Sequence, residues 1–408
     1  MRYHPYVFLI IILVLMSCKQ QIKEQSPEVT VSMLQDVTSP AGASSSLPHL
    51  VSNSDVTLLS WVETEGDTLT KFYFSKLVDG TWQKPESILQ GTDWFVNWAD
   101  YPMIAENKGN YLSHILKKST EGAYSYDVKI NLRPKESSEW QTEMPLHTDG
   151  TPTEHGFVTV LPYKNAFFVT WLDGRNTEEN EAGNRGAMTL RAAEVATDGK
   201  VTEEKELDIR TCDCCQTTAT ITTNGPVVLY RDRSEEEVRD ISIVRRVDGK
   251  WTAPKTIHTD GWKIKGCPVN GPKVASLGNN LVAAWFTAAQ EKAKVQVVFS
   301  QDGGAHFQEP ILIAQGNVMG RVDVVWIDEE TVVVSWMESE GKTARLQLAK
   351  VSTNGTVSQK LTLLEMAGSR QAGFPQLEKV DGMLYFAWTE IAEKESRVRT
   401  AKLDLDLL

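Results

Sequence analysis

Four of the chain's five cysteines fall in two short stretches. RTCDCCQ (210–216) carries Cys212, Cys214 and Cys215, and GWKIKGCPVN (261–270) carries Cys267. Sulfurs so placed can do three kinds of chemistry. In an oxidising compartment they can form two disulfides, with Cys212 or Cys214 reaching Cys267 more easily than the vicinal Cys214 and Cys215 reach each other. As thiolates they can clamp a soft metal such as Cu(I) or Zn(II), with His155 and Met319 as further donors. Or one pair is structural and another thiol is reactive.

A second set consists of arginines and acids on short polar stretches: Arg175 in WLDGR, Arg231 and Arg233 in YRDRS, Arg321 in MGRVD and Arg370 in GSRQAG. A guanidinium fork reads carboxylate or phosphate bidentately. Arg175, Arg231, Arg233 and Arg321 are therefore the expected contacts for an anionic ligand, with Arg231 and Arg321 foremost. Asp100 and Trp94 join them, since an indole on a loop can stack on a sugar ring, as can Trp98 in the same stretch. Asp173, Asp232 and Tyr101 are the candidate catalytic groups. Each also has a structural reading: acids cap turns or pair with arginines, and aromatics at strand starts fill cores.

The elements that must position these residues are strands. Short apolar runs rich in Val, Ile, Phe and Trp are separated by Gly, Asp, Asn and charged turns, and long helical patterns are scarce. One run ends in Trp with an acid two residues on: VTLLSWVE (Trp61, Glu63), FFVTWLD (Trp171, Asp173), TVVVSWME (Trp336, Glu338) and MLYFAWTE (Trp388, Glu390). Weaker copies centre on Tyr230, Trp285 and His114. An apolar run precedes each, starting near Leu47, Tyr101, Phe157, Gln216, Gly271, Arg321 and Phe374, at intervals of 50 to 59 residues. Turns such as DGTWQKPESI and DGKWTAPKTI follow the third run of a unit. Each unit is thus four strands, the makeup of a propeller blade. The expected fold is all-β: a seven-bladed propeller, six blades being the alternative. The seventh unit ends at Leu408 after three strands, and the orphan run EVTVSMLQ (28–35) is expected to complete it and leave no open edge. The Cys-rich loop then connects two blades, on the face where the arginine loops also lie.

SQDGGAHF (300–307) fits S-x-D-x-G-x-x-[WF], the Asp-box turn, and with degenerate copies such as Asp79-Gly80-Thr81-Trp82 the chain resembles the sialidase-like (BNR-repeat) propellers. The Cys-x-Cys-Cys loop is similar to that of a subgroup of them. The resemblance implies that the Asp box staples a hairpin opposite the active face. It further implies exo-sialidase-like hydrolysis, in which three arginines hold the substrate carboxylate, an Asp is the acid/base and a Tyr activated by Glu is the nucleophile. The family's early Arg-Ile-Pro motif is absent; the corresponding stretch reads Ser46-Leu47-Pro48-His49.

MRYHPYVFLIIILVLMSC (1–18) has a cationic start and an apolar run too short to span a bilayer, and it ends in a sequence resembling a bacterial lipobox at Cys18. The expected organisation is a signal peptide (1–17), a lipidated Cys18 with a tether to residue 27, and one propeller (28–408). That places the chain in the bacterial envelope, lipid-anchored on the periplasmic side or at the outer-membrane surface. The balance of Lys+Arg 42 against Asp+Glu 54, net −12, argues against a nucleic-acid partner, which needs a positive field. The expected partners are the membrane, through the lipid, and a small anionic ligand or glycan, with the chain a monomer. No cofactor is required beyond the soft metal the cysteines could hold.

Overall fold

The computed structural model describes residue 1 and residues 33–408, apart from 67, 180–182, 184 and 394. The expected signal peptide, Cys18 and the tether lie outside the described residues. The strands form seven antiparallel sheets, six of them built from neighbouring strands in chain order and the seventh completed by the first described strand. The first six blades span residues 45–91, 104–145, 155–208, 218–256, 273–315 and 318–367. The seventh takes Gln376–Val380, Met383–Ala392 and Glu395–Asp404, and its outermost strand is Gln35–Val37. Gln35 pairs with Lys402 and Val37 with Thr400, so the two chain ends close the ring. The clasp is where the repeat pattern puts it, but its described strand lies later than the 28–35 expected from hydrophobicity. An outermost strand has one neighbour, so ladder hydrogen bonds rather than an apolar face select its residues.

The Trp-x-acid repeat has a geometric basis. Residues i and i+2 of a strand share one face, so the acid lies beside the indole and accepts its N–H. Trp61 donates to Glu63 at 2.9 Å, Trp171 to Asp173 at 2.8 Å and Trp336 to Glu338 at 2.9 Å. These three indoles and that of Trp285 are fully buried, and an unpaired buried N–H would cost about 1–3 kcal/mol. Thr287 stands where Trp285 would need an acid, and Asp260 from another loop accepts instead, at 2.7 Å. The acids on this face thus serve the core first.

The inner strands carry bulges that aim their first residues at one face. Register slips between Ser46 and His49, Gly156 and Thr159, and Gly320 and Asp323, where Leu47, Phe157 and Arg321 adopt positive φ. The preceding blade caps two of these bulges: Asp100 accepts the Phe157 N–H at 2.8 Å and Asn270 accepts that of Arg321 at 2.8 Å. The Asp box forms the expected staple, with the Gly304 N–H donating to Ser300 and the His306 N–H to Asp302, both at 2.9 Å.

Candidate functional site

Loops joining second and third strands, and loops joining blades, make one face. On it lies a groove of about 700 Å³, lined by Tyr124, Thr153, Glu154, Arg185, Asp213 and Arg233 among others. Its chemistry centres on Glu154, which sits one residue before the inner strand of the third blade. Burial pushes the Glu154 carboxyl up to about 7; the Tyr126 hydroxyl, donating to it at 2.7 Å, opposes the rise, and the charge of Asp213 adds to it. Tyr126 is itself buried at the start of a third strand, and its phenol is pushed far up, first by burial and then by the Glu154 charge. Asp213 is half-buried and paired with Arg233 at 3.0 Å, and Arg233 also holds Glu237 at 2.7 Å. Arg185 is 73% exposed, and among the described residues it approaches the carboxylate of Glu179 at 3.8 Å. The groove therefore offers one carboxyl that is protonated over part of the neutral range, one carboxylate anchored by arginine, and two guanidinium groups.

The other expected arginines are elsewhere. Arg231 is 1% exposed; its three nitrogens donate to the carbonyls of Asn270, Arg239 and Phe286 at 2.6–2.9 Å, and it lies over the Trp262 ring. Arg321 is also buried, donating to the carbonyls of Ser369 and Gly373 and stacked on Trp98. Burial lowers its guanidinium to about 10, with Arg370 adding to the effect. Both tie loops together, and neither lines the groove. Arg175 is half-buried and clamps Asp173 with two bonds of 2.7 Å, reaching Glu204 at 3.0 Å. Of the expected ligand arginines, Arg233 alone lines the groove.

The expected aromatics and acids follow the same division. Asp100 is the bulge cap, and burial pushes its carboxyl up to about 8. Trp94 is buried in the apolar cluster shared by the first four blades, so its ring offers no open face to a sugar. Tyr101 is buried at the mouth of the central channel, beside Phe374. Asp173, fully buried, is shared by the Trp171 indole and Arg175. Asp232 accepts from Ser242 at 2.8 Å, and burial raises its carboxyl. Asp173 and Tyr101 are thus engaged within the fold, and neither these nor Asp232 lines the groove. The channel, about 430 Å³, carries its own compensated charges, Lys273 with Asp323 and Glu378. Burial opposes the Lys273 charge, but Asp323, then Tyr101 and Glu378, hold it above the ordinary range.

Beneath the groove wall, Cys214 is bonded to Cys267 across adjacent inter-blade loops. Cys212 and Cys215 are free and buried, their sulfurs 2.8 Å apart. His155 stands with Asp149 and Asp173 instead of with the sulfurs. Its Nδ1 faces the carbonyls of Tyr126 and Thr153 at 3.1 Å, and its Nε2 lies 3.4 Å from Asp149. The expected grouping of His155 with the cysteine donors is corrected: its side chain belongs to the Asp149–Asp173–Arg175 network. Among the described residues, the sulfurs of Cys212, Cys214 and Cys215 are a set close enough to share one ion.

No family model matches the chain, and no curated protein does. Among solved structures it is similar to the α-L-arabinofuranosidase Arb93A of Fusarium graminearum, at 14% identity and TM-score 0.50 over 92% of this chain and 98% of that one. It is also similar to the polysaccharide lyase Uly1, at 10% identity and TM-score 0.50 over 88% and 89%. A Hadza microbial sialidase matches at 11% identity and TM-score 0.44 over 78% and 66%. The likeness is one of fold. Glu154, Asp213 and Arg185, groove residues that spacing did not single out, and Tyr126 behind Glu154 rest on the geometry above. Glu154 and Tyr126 meet across 28 residues, and the one local signal was the Thr-Pro-Thr-Glu turn before an inner strand.

Proposed function

We propose that the chain is a lipid-anchored envelope propeller that binds a saccharide in this groove and hydrolyses its glycosidic bond. The observation that carries the reading is the unlike pair of carboxyls, Glu154 raised to about 7 and Asp213 held by Arg233 at 3.0 Å. Glycoside hydrolysis needs a proton donor and a carboxylate in one cleft, with environments that keep their protonation states apart. Glu154, oriented by the Tyr126 hydroxyl, gives its proton to the departing sugar oxygen. Asp213 faces the positive charge that develops at the anomeric carbon. Arg185, exposed on the groove, receives an acidic group of the sugar, while Arg233 stays with Asp213 and Glu237, which narrows the expected three-arginine clamp to one. The twofold excess of acids over arginines among the ionisable groups lining the groove, with Glu178 and Glu179 on its rim, favours a hydroxyl-rich ligand carrying at most one such group.

The test is a panel of 4-nitrophenyl glycosides, uronides and sialosides incubated with the wild type and with Glu154→Gln. The reading expects turnover of one class, lowered at least ~100-fold in the variant. Turnover unaffected by the substitution, or none on any substrate, overturns it.

A further inference from the structure

Cys212 and Cys215 are a C-x-x-C pair closed by a tight turn, with sulfurs 2.8 Å apart and both side chains buried. Cys215 stands in the loop just before its blade's inner strand at Thr218, as Asn270 does before Lys273 and Asp100 before Ile104. There a polar cap has given way to a thiol. Arg239, itself buried, donates to the Cys212 sulfur at 3.2 Å. Burial pushes the Cys212 thiol up, but the proton shared with Cys215, the Cys214 N–H and the charges of Arg239 and Arg231 outweigh it and leave it below the ordinary thiol range. Cys215 is pushed the other way, by burial and by its neighbour. A nucleophilic first thiol and a resolving second one is the division of labour a reversible dithiol needs.

The pair has no surface of its own, yet a disulfide adjoins it. The Cys214 sulfur lies within 4.8 Å of both Cys212 and Cys215, and its partner Cys267 is exposed. We propose that these four sulfurs are a thiol–disulfide relay: the buried Cys212/Cys215 pair stores two electrons, and the Cys214–Cys267 bond passes them to a disulfide substrate at the surface. The Cys212 thiolate attacks the Cys214 sulfur; the Cys212–Cys214 bond forms and Cys267 leaves as a thiolate that takes a proton from water. Cys215 then gives up its proton and attacks the Cys212 sulfur; the Cys212–Cys215 bond forms and Cys214 leaves as the thiol carrying that proton. The buried pair is oxidised and the surface pair reduced, with no outside reagent. Cys267 next attacks the substrate disulfide and expels one half as a thiolate. Cys214 resolves the mixed bond and expels the other half, which restores the Cys214–Cys267 bond. The substrate class is an exposed disulfide of a protein or small thiol compound. An external dithiol returns the electrons by the reverse route.

The probe is 5,5′-dithiobis(2-nitrobenzoate), a disulfide whose reduction is read at 412 nm on the purified, natively folded chain carrying Cys18→Ser, which removes the fifth cysteine from the count. The relay expects two thionitrobenzoate anions per chain in this background. In a Cys214→Ser/Cys267→Ser variant, which keeps the buried pair but removes its outlet, the native rate falls at least ~50-fold while two thiols still titrate in denaturant. An equal or faster native rate in that variant overturns the relay. In the same Cys18→Ser background, Cys215→Ser supplies an independent test, because its one free thiol among the described residues is Cys212. The relay then places the thionitrobenzoate adduct on Cys267, in the tryptic fragment 266–273. An adduct on Cys212, or none, overturns it. A thermal melt of each variant against the wild type separates loss of the outlet from loss of the fold.

Discussion

Arg231 separates the arginines that build the face from those that serve it. In Arg231→Met the alkyl stem over Trp262 is kept and the guanidinium is removed, leaving the carbonyls of Asn270, Arg239 and Phe286 without their donor. Each buried unpaired acceptor costs about 1–3 kcal/mol. Relief of the buried charge's desolvation offsets part of the sum, and about 4 kcal/mol of net destabilisation is expected. At about 2 cal/mol/K of unfolding entropy per residue, a domain of this size should lose about 5 °C in melting temperature. Differential scanning calorimetry at neutral pH reads the shift. The same substitution at Arg233, whose side chain is 23% exposed and paired with Asp213 and Glu237, should cost about 1 kcal/mol or less, because exposed ion pairs contribute little. A melt for Arg231→Met within about 1 °C of the wild type would refute the assignment of Arg231 to the scaffold and return it to the list of ligand contacts.

Three further outcomes follow from the same geometry. With Glu154 as the proton donor at about 7, glycosidase activity should be present below neutrality and fall as pH rises through that value; a pH–rate profile rising through pH 7 would contradict the role. Asp100 is raised by burial from 3.8 to about 8, so the folded state holds a proton the unfolded chain has lost. Its stability should be full below about pH 4, decline by up to about 1.4 kcal/mol per pH unit between 4 and 8, and level off above. Asp100→Asn should remove that decline, measured by denaturant melts across the range. Gly304→Ala places a Cβ 2.5 Å from Ile243 at φ +84°, and calorimetry should show a loss of about 1–3 kcal/mol with groove chemistry unchanged.

The ring was legible because its devices are local. Trp61 and Glu63, or Trp171 and Asp173, sit two residues apart on one strand face, so a period-two geometry is written directly in the order of residues. The Asp-box turn at 300–307 is equally local. The fates of Arg231 and Arg321 were not legible, because both look like loop arginines until the neighbouring blade supplies the carbonyls that bury them. The groove was hidden for the same reason: Glu154, Tyr126, Asp213 and Arg233 come from three blades and their connecting loops, and the burial that raises Glu154 exists only once those are stacked. Cysteine clustering did mark a special loop, but only tertiary geometry sorts Cys214 with Cys267 and Cys212 with Cys215.

The groove between the second, third and fourth blades should be a saccharide site. A carbohydrate array probed with labelled wild type and with the Glu154→Gln/Asp213→Asn/Arg233→Met triple variant addresses it directly. The wild type should bind one family of glycans, and the variant, with a melt close to the wild type's, should lose that binding. Equal binding by both proteins, or a wild type that binds no glycan, would contradict it.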